Sequence, residues 1–310
     1  MAPAVSRIYL QREEEARMKP AIAVVEVHGT YKVNTEFHAN PAARKTIILV
    51  NGSLSTTASF AQTVKYLGTR FNVVLFDQPY AGASKAHNRN NRLISKEDEA
   101  AILLELIEHY GAQYLMAFSW GGIASMLALA KRPATLEKAV FASFSPILNE
   151  AMLDYLSRAL VCLSEEDCDQ VGHLVNDTIG KYLPSLFKRY NHKHISRLSA
   201  HEYRQMNAHI HQVLRMEAHC RLDCLGNIDM PLLFINGEHD QYTSPADARL
   251  FAPHLPNCQF ATVRNAGHFI DVEHKGAWLQ TQNTLLDFLQ SSASSNRFTR
   301  AHGLQPAMAV

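Results

Sequence analysis

Seven short runs of β-branched and large apolar residues, at 22–27, 46–50, 72–77, 114–119, 138–143, 231–236 and 259–263, alternate with segments of helical apolar spacing at 58–67, 96–110, 120–131, 245–255 and 276–289. In 96–110, for example, Ile102, Leu103, Leu106 and Ile107 fall on one helical face. This alternation constrains the fold more than any other feature. Parallel neighbours need a long crossover, usually a helix, and the resulting sheet is covered on both sides. The expectation is therefore an α/β protein with a mostly parallel sheet and helices on both faces.

The alternation breaks once, between 145 and 229, where the pattern is helical, rich in His, Arg and Lys, and without a strand signal. This segment reads as a helical cap inserted over the C-terminal edge of the sheet, dividing the core into 18–144 and 230–290. Residues 1–17 lack apolar periodicity and read as a non-core extension, with Met1 and Met18 both open as the native start. Residues 291–310 begin Ser-Ser-Ala-Ser-Ser-Asn and read as a flexible tail.

With 47% hydrophobic and 19% charged residues, the chain has the composition of a globular protein and not of a disordered one. Thirty basic residues against 29 acidic ones leave a charge of +1, so no overall field draws nucleic acid or an anionic membrane. Five cysteines (Cys162, Cys168, Cys220, Cys224, Cys258) are few and odd in number, which suits reduced thiols better than a disulfide framework. The N-terminal segment is charged and has no signal-peptide core. The uncharged stretch 111–130 could span a bilayer by length, but Ser119, Gly121 and Gly122 in it fit a strand, tight turn and buried helix better. A cytoplasmic protein without a membrane span is expected.

The sharpest chemical signal is Ala117-Phe118-Ser119-Trp120-Gly121-Gly122, between a strand and a helix. A serine that must project its hydroxyl from a strained strand-to-helix turn needs small residues two before and two after it, and Ala117 and Gly121 supply them. The backbone N–H of Trp120 then lies where an oxyanion forms. A serine nucleophile needs a base, and the base an orienting acid. Asp240 follows the strand at 231–236, with Glu238 a poorer candidate, and His268 in Asn265-Ala266-Gly267-His268-Phe269 follows the last strand. Ser, Asp, His is the chain order of α/β-hydrolases. The second oxyanion donor falls in Val50-Asn51-Gly52-Ser53-Leu54, on the N–H of Ser53 with Leu54 as its neighbour. In the turn from Asp77 to Ser84, Gly82 is expected to supply an unusual backbone angle in a structural role.

Sixteen histidines raise the question of metal. In His192-x-His194 and His209-x-His211, however, residues two apart on a helix face different ways, and no carboxylate pattern completes either pair. Cys220-x3-Cys224 lacks a second pair. No metal is expected.

The chain resembles the bacterial 3-hydroxyacyl-acyl-carrier-protein (ACP) acyltransferases of the α/β-hydrolase fold. These include the 3-hydroxyacyl-ACP:CoA transacylases or thioesterases of polyhydroxyalkanoate synthesis and the 3-(3-hydroxyalkanoyloxy)alkanoate synthases of rhamnolipid synthesis. The likeness runs from about Met18 to Gln290. It is carried by Val50-Asn51-Gly52-Ser53, the run from Ser55 to Phe60, the run from Asn72 to Asp77, Ser119-Trp120-Gly121-Gly122 and Phe234-Ile235-Asn236-Gly237. Asp77-Gln78-Pro79-Tyr80, Ser143-Phe144-Ser145-Pro146 and the segment from Asn176 to Arg189 look nearer the transacylases. The resemblance implies a triad of Ser119, Asp240 and His268, an acyl-enzyme, and release to water, CoA or a second hydroxyacyl chain. It implies no cofactor beyond CoA as an acceptor. Met152, Leu153, Leu156 and Leu160 are candidates to line an acyl tunnel, with packing inside the cap as the alternative. Lys181, Lys188, Arg189 and Lys193 are candidates to receive an acidic ACP.

Overall fold

The computed structural model describes residues 19–88, 92–216 and 224–291, so the expected extension at 1–17 and nearly all of the expected tail lie outside the described residues. The sheet has eight strands in the order β1-β2-β4-β3-β5-β6-β7-β8. These are β1 (Ala21–Val27), β2 (Tyr31–His38), β3 (Thr46–Val50), β4 (Asn72–Phe76), β5 (Tyr114–Phe118), β6 (Lys138–Ala142), β7 (Leu232–Gly237) and β8 (Cys258–Val263). β1 pairs antiparallel with β2, and β2 with β4; every other pairing is parallel.

The sequence reading missed β2, which carries Lys32, Asn34, Glu36 and His38 between its apolar positions. Its partner β1 is an exposed edge strand, and the two close through His28 and Gly29, both at positive φ (52° and 56°). The central strands β3 and β6 are buried along their whole length, as expected for strands covered on both faces.

Period-two alternation sorts their side chains into two cores. Ile48, Val50, Leu115, Ala117, Phe141 and Phe234 point to one face. There they meet α2 (Lys96–Tyr110) through Ile102, Leu103, Leu106 and Ile107, and α3 (Gly121–Leu129) through Met126 and Leu129. Ile47, Leu49, Met116, Val140 and Ile235 point to the other. They pack on α1 (Ala61–Leu67) and α9 (Lys275–Gln290) through Tyr66, Leu67, Leu285 and Phe288.

The cap consists of α4 (Glu150–Ser164), α5 (Cys168–Asp177), α6 (Ser185–Ile195) and α7 (Ala200–Arg215), and no strand occurs in it among the described residues. Its core, around Leu156, Leu163, Val171, Leu174, Tyr203 and Ile210, also takes in Trp120 from the sheet side. The helix expected at 245–255 is shorter: α8 is only Pro245–Ala248, followed by a 3-10 turn at Arg249–Phe251. Pro253 has no N–H to bond the carbonyl of Arg249, so the α-helical ladder cannot continue. No helix among the described residues is long and apolar enough to cross a membrane, and 111–130 is strand β5, a turn and α3.

Strand order reverses at β3, whose two neighbours are reached by crossovers on opposite sides. In open α/β sheets the crevice at such a switch point, beyond the C-terminal strand ends, is where ligands bind. Ser53 follows β3 and Ser119 follows β5, so both reach that crevice.

Candidate active site

Ser119 sits at φ 51°, a left-handed conformation that a residue with a Cβ rarely adopts. Crowding holds it there. Its N–H donates to the carbonyl of Ala142 at 2.9 Å, Ala117 is fully buried, and a Cβ on Gly121 would lie 2.4 Å from the carbonyl oxygen of Asn51. The requirement for small residues around the serine thus has a specific origin: the turn after β5 is wedged against the loop after β3. Gly52 completes the wedge, since a Cβ there would lie 3.2 Å from the Ser119 Cβ.

His268 Nε2 lies 3.0 Å from Ser119 Oγ, and His268 Nδ1 lies 2.8 Å from Asp240 Oδ2. With the Nδ1 proton donated to Asp240, Nε2 is left as the acceptor for the serine hydroxyl. Both partners of the serine are buried. Asp240 Oδ1 accepts from the N–H groups of Tyr242 (2.9 Å) and Thr243 (3.1 Å), and Oδ2 also accepts from Thr243 Oγ1 (2.6 Å). Burial on its own pushes this carboxyl up, but His268 and the Thr243 hydrogen bonds outweigh it and hold Asp240 below the usual carboxylate range. It is therefore ionised and can orient an imidazole. Glu238, the weaker candidate from the sequence, is turned away and accepts from Asn265 N–H at 2.8 Å.

Three groups that the sequence reading did not single out fix the histidine loop. The buried Glu273 carboxylate accepts from Gly267 N–H (2.6 Å) and Phe269 N–H (2.9 Å), clamping the backbone on either side of His268. Ser143 Oγ donates to the His268 carbonyl at 2.5 Å. Gly237, at the end of β7, has no room for a Cβ, which would lie 1.9 Å from the Gly267 carbonyl oxygen. The Ser143 and Gly237 contacts join residues far apart in sequence, whereas Glu273 reaches back only four and six residues, to Phe269 and Gly267.

Trp120 follows the serine at the N-terminus of α3, where partial positive charge accumulates, and Ser53 follows Gly52, which abuts Ser119, in the loop after β3. The Ser53 loop turns through Leu54 at φ 58°, and His194 of α6 meets the Leu54 carbonyl through Nε2 at 2.8 Å. Asp77 is buried, as a structural residue should be, and accepts from the N–H groups of Thr57 (2.9 Å) and Ala83 (2.8 Å). Gly82 has φ 47°, the unusual angle expected of it, and a Cβ there would strike Asp77 Oδ2.

Two cavities flank this centre. One, about 620 Å³ when the solvent at its open mouth is counted, is apolar and lined by Trp120, Ile123, Met126, Leu127, Phe144, Ile147, Met152 and Phe251, among others. The other, about 560 Å³ counted the same way, has more polar side chains in its wall and reaches from Asn51, Gly52 and Ser53 to a buried cluster of Lys96, Glu99, Gln205 and His209. There Lys96 Nζ bonds Glu99 Oε2 at 2.8 Å, and burial together with Lys96 lowers His209 to about 4, leaving it neutral. Of the four tunnel candidates, Met152 lines the apolar cavity, Leu156 and Leu160 pack into the cap core, and Leu153 is exposed.

The His192 and His194 pair divides as helical geometry requires. His194 turns to Leu54, while His192 turns to α5, towards Asp169 and His173. Cys162, Cys168 and Cys258 are free; the thiols of Cys220 and Cys224 lie outside the described residues.

Residues 45–275 match the family model for the alpha/beta hydrolase fold. The chain is 60% identical over 273 residues to an (R)-3-hydroxydecanoyl-ACP:CoA transacylase of Pseudomonas aeruginosa, covering 88% of this chain and 91% of that one. It is 56% identical over 280 residues to a protein of the same name from Pseudomonas putida, covering 90% and 95%. Among solved structures it superposes on a hydrolase from Pseudomonas aeruginosa with TM-score 0.71 at 18% identity, covering 87% and 98%. An enol-lactonase from Burkholderia xenovorans follows at TM-score 0.69 and 17% identity, covering 87% and 100%. At those identities the structures speak for the fold alone, whereas the Pseudomonas sequences speak for kinship: the chain belongs to the α/β hydrolase fold family, and within it to the family that these two proteins represent.

Proposed function

We propose that the protein transfers the acyl group of an (R)-3-hydroxyacyl-ACP to CoA through a Ser119 acyl-enzyme. The observation that carries this reading is the Ser119–His268–Asp240 chain of contacts, at 3.0 and 2.8 Å, beside an apolar cavity in a chain 60% identical to a transacylase. Ser119 Oγ attacks the thioester carbon while His268 Nε2 takes its proton; Asp240 stabilises the imidazolium. The N–H groups of Ser53 and Trp120 receive the developing oxyanion. His268 returns the proton to the departing pantetheine sulfur, leaving an ester on Ser119. In the second half the CoA thiol gives its proton to His268, its sulfur attacks the ester, and Ser119 recovers its hydrogen. The reaction asks for no cofactor, CoA being a substrate.

The apolar cavity is the natural place for the acyl chain, with Met152 in its wall. For the carrier we favour α6 and the turn before it, where exposed Lys181, Arg189 and Lys193 accompany half-buried Lys188 and the exposed apolar side chains of Leu186, Phe187 and Tyr190. Basic groups around an apolar centre suit an acidic protein of small footprint. ACP and CoA as substrates, together with the free thiols, support a cytoplasmic reaction whose product would supply medium-chain polyhydroxyalkanoate synthesis.

Product analysis by mass spectrometry tests the reading directly. Purified protein given 3-hydroxydecanoyl-ACP and CoA should form 3-hydroxydecanoyl-CoA, with free 3-hydroxydecanoate when CoA is withheld and nothing from the Ser119→Ala variant. A dominant hydroxyalkanoyloxy-alkanoate product would overturn CoA as the acceptor. Turnover by the alanine variant would overturn the acyl-enzyme.

A further inference from the structure

Asp169 and His173 stand one turn apart on α5, and His192 reaches them from α6. One ligand atom from each side chain lies within 4.8 Å of the other two. We propose that these three residues form a binding site for a divalent first-row metal ion of the zinc, cobalt or nickel type, which joins α5 to α6 on the outside of the cap.

The distances separate this from an ordinary ion pair. Asp169 Oδ1 is 3.1 Å from His192 Nε2, and Asp169 Oδ2 is 3.4 Å from His173 Nε2. The second contact is longer than a normal N–H···O hydrogen bond. The first is short enough, yet His192 Nε2 is buried and has no aligned hydrogen-bond partner, so the nitrogen is directed past the carboxylate. Two ligands held on one ion at about 2.0–2.2 Å and a tetrahedral angle stand about 3.3–3.5 Å apart. The His173 pair falls within that range and the His192 pair slightly below it. The two imidazoles are not stacked: their centroids are 4.6 Å apart and their planes are inclined at 56°, which lets both Nε2 atoms approach one point beside the carboxylate.

The backbone makes room for this arrangement. A Cβ on Gly172 would lie 2.7 Å from His192 Cδ2, so the imidazole seats on α5 only because residue 172 has no side chain. Two imidazoles and a carboxylate form a borderline donor set suited to zinc, cobalt or nickel, and one or more positions remain for water. Asp169 and His173 are exposed, so an ion can enter without opening the cap. The same short helix α6 meets the Leu54 carbonyl through His194. Fixing His192 therefore also fixes the helix that buttresses the Ser53 loop.

Cobalt titration of the chelator-treated full chain reads the site independently of activity. One equivalent of Co2+ should give visible ligand-field absorption, Zn2+ should displace it, and Zn2+ should raise the Tm. His192→Gln, His173→Gln and Asp169→Asn should each weaken Zn2+ binding at least tenfold, whereas His254→Gln, at an exposed histidine elsewhere, should retain it. Far-ultraviolet circular dichroism of each variant establishes that it is folded. Absence of cobalt absorption in the wild type, or binding that survives all three substitutions, would overturn the site.

Discussion

Replacing Ile123 with Phe is expected to make the protein nearly indifferent to acyl chain length. Ile123 lies one helical turn beyond Ser119 and forms part of the apolar cavity wall. Each acyl methylene buried there contributes about 0.8 kcal/mol, so a ten-carbon chain should gain about 3 kcal/mol over a six-carbon one. That corresponds to roughly 200-fold in kcat/KM, at about 1.4 kcal/mol per tenfold. Phenylalanine carries three more side-chain carbons than isoleucine and displaces about three methylenes, a loss of about 2.4 kcal/mol. The ten-to-six preference should fall to about fourfold, with the six-carbon substrate changed much less. The assay is kcat/KM for 3-hydroxyhexanoyl and 3-hydroxydecanoyl thioesters in both proteins, with Tm measured alongside because overpacking itself destabilises. Equal losses on both chains at unchanged Tm would refute the reasoning, because they would place the chain elsewhere.

Three further outcomes follow from the site and its surroundings. Asp240→Asn should lower kcat by about 10⁴, since an amide cannot hold the required imidazole tautomer, while Glu238→Gln should stay within a few-fold; steady-state kinetics on the two variants would expose the reverse ranking. Gly121→Ala should cost more than about 2 kcal/mol in denaturant unfolding, because its Cβ meets the backbone of Asn51 and no flexible side chain there can yield. Burial raises Asp271 from 3.8 to about 6 despite hydrogen bonds from Thr63 and Tyr66. A carboxyl raised in the folded state contributes stability that is full below the unfolded value and is lost as pH rises through 6. Asp271→Asn should therefore remove up to about 3 kcal/mol of pH dependence between pH 4 and 8, and an unchanged profile would show that Asp271 titrates normally.

Much of this architecture is local enough to be legible in the sequence. Period-two and helical spacing show directly in β3, β5, β6, α2 and α3, and the elbow and the order of acid and base are short patterns at strand ends. β2 escaped because Lys32 is exposed, Glu36 is half-buried, and its polar Asn34 and Thr35 are buried by packing that no single strand reveals. The helix after Pro245 was read too long because apolar spacing outweighed Pro253. In α4 the buried stripe runs through Met152, Leu156, Ala159 and Leu163. Periodicity marks such a stripe, but it cannot say whether the stripe faces a cavity or the cap core. Ser143 against the His268 carbonyl, and Asp169 opposite His192, depend on residues brought together only by the finished fold.

The backbone angle at Ser119 has a consequence for engineering. A left-handed residue with a Cβ stores on the order of 1 kcal/mol or more that glycine would release. Repeated selection of this protein for heat resistance, without a simultaneous demand for turnover, should therefore enrich glycine at position 119 and return a sturdier but inert scaffold. Consensus or thermostability campaigns on chains of this kind need that one position held fixed, because there the folded state gains by discarding the hydroxyl proposed as the nucleophile.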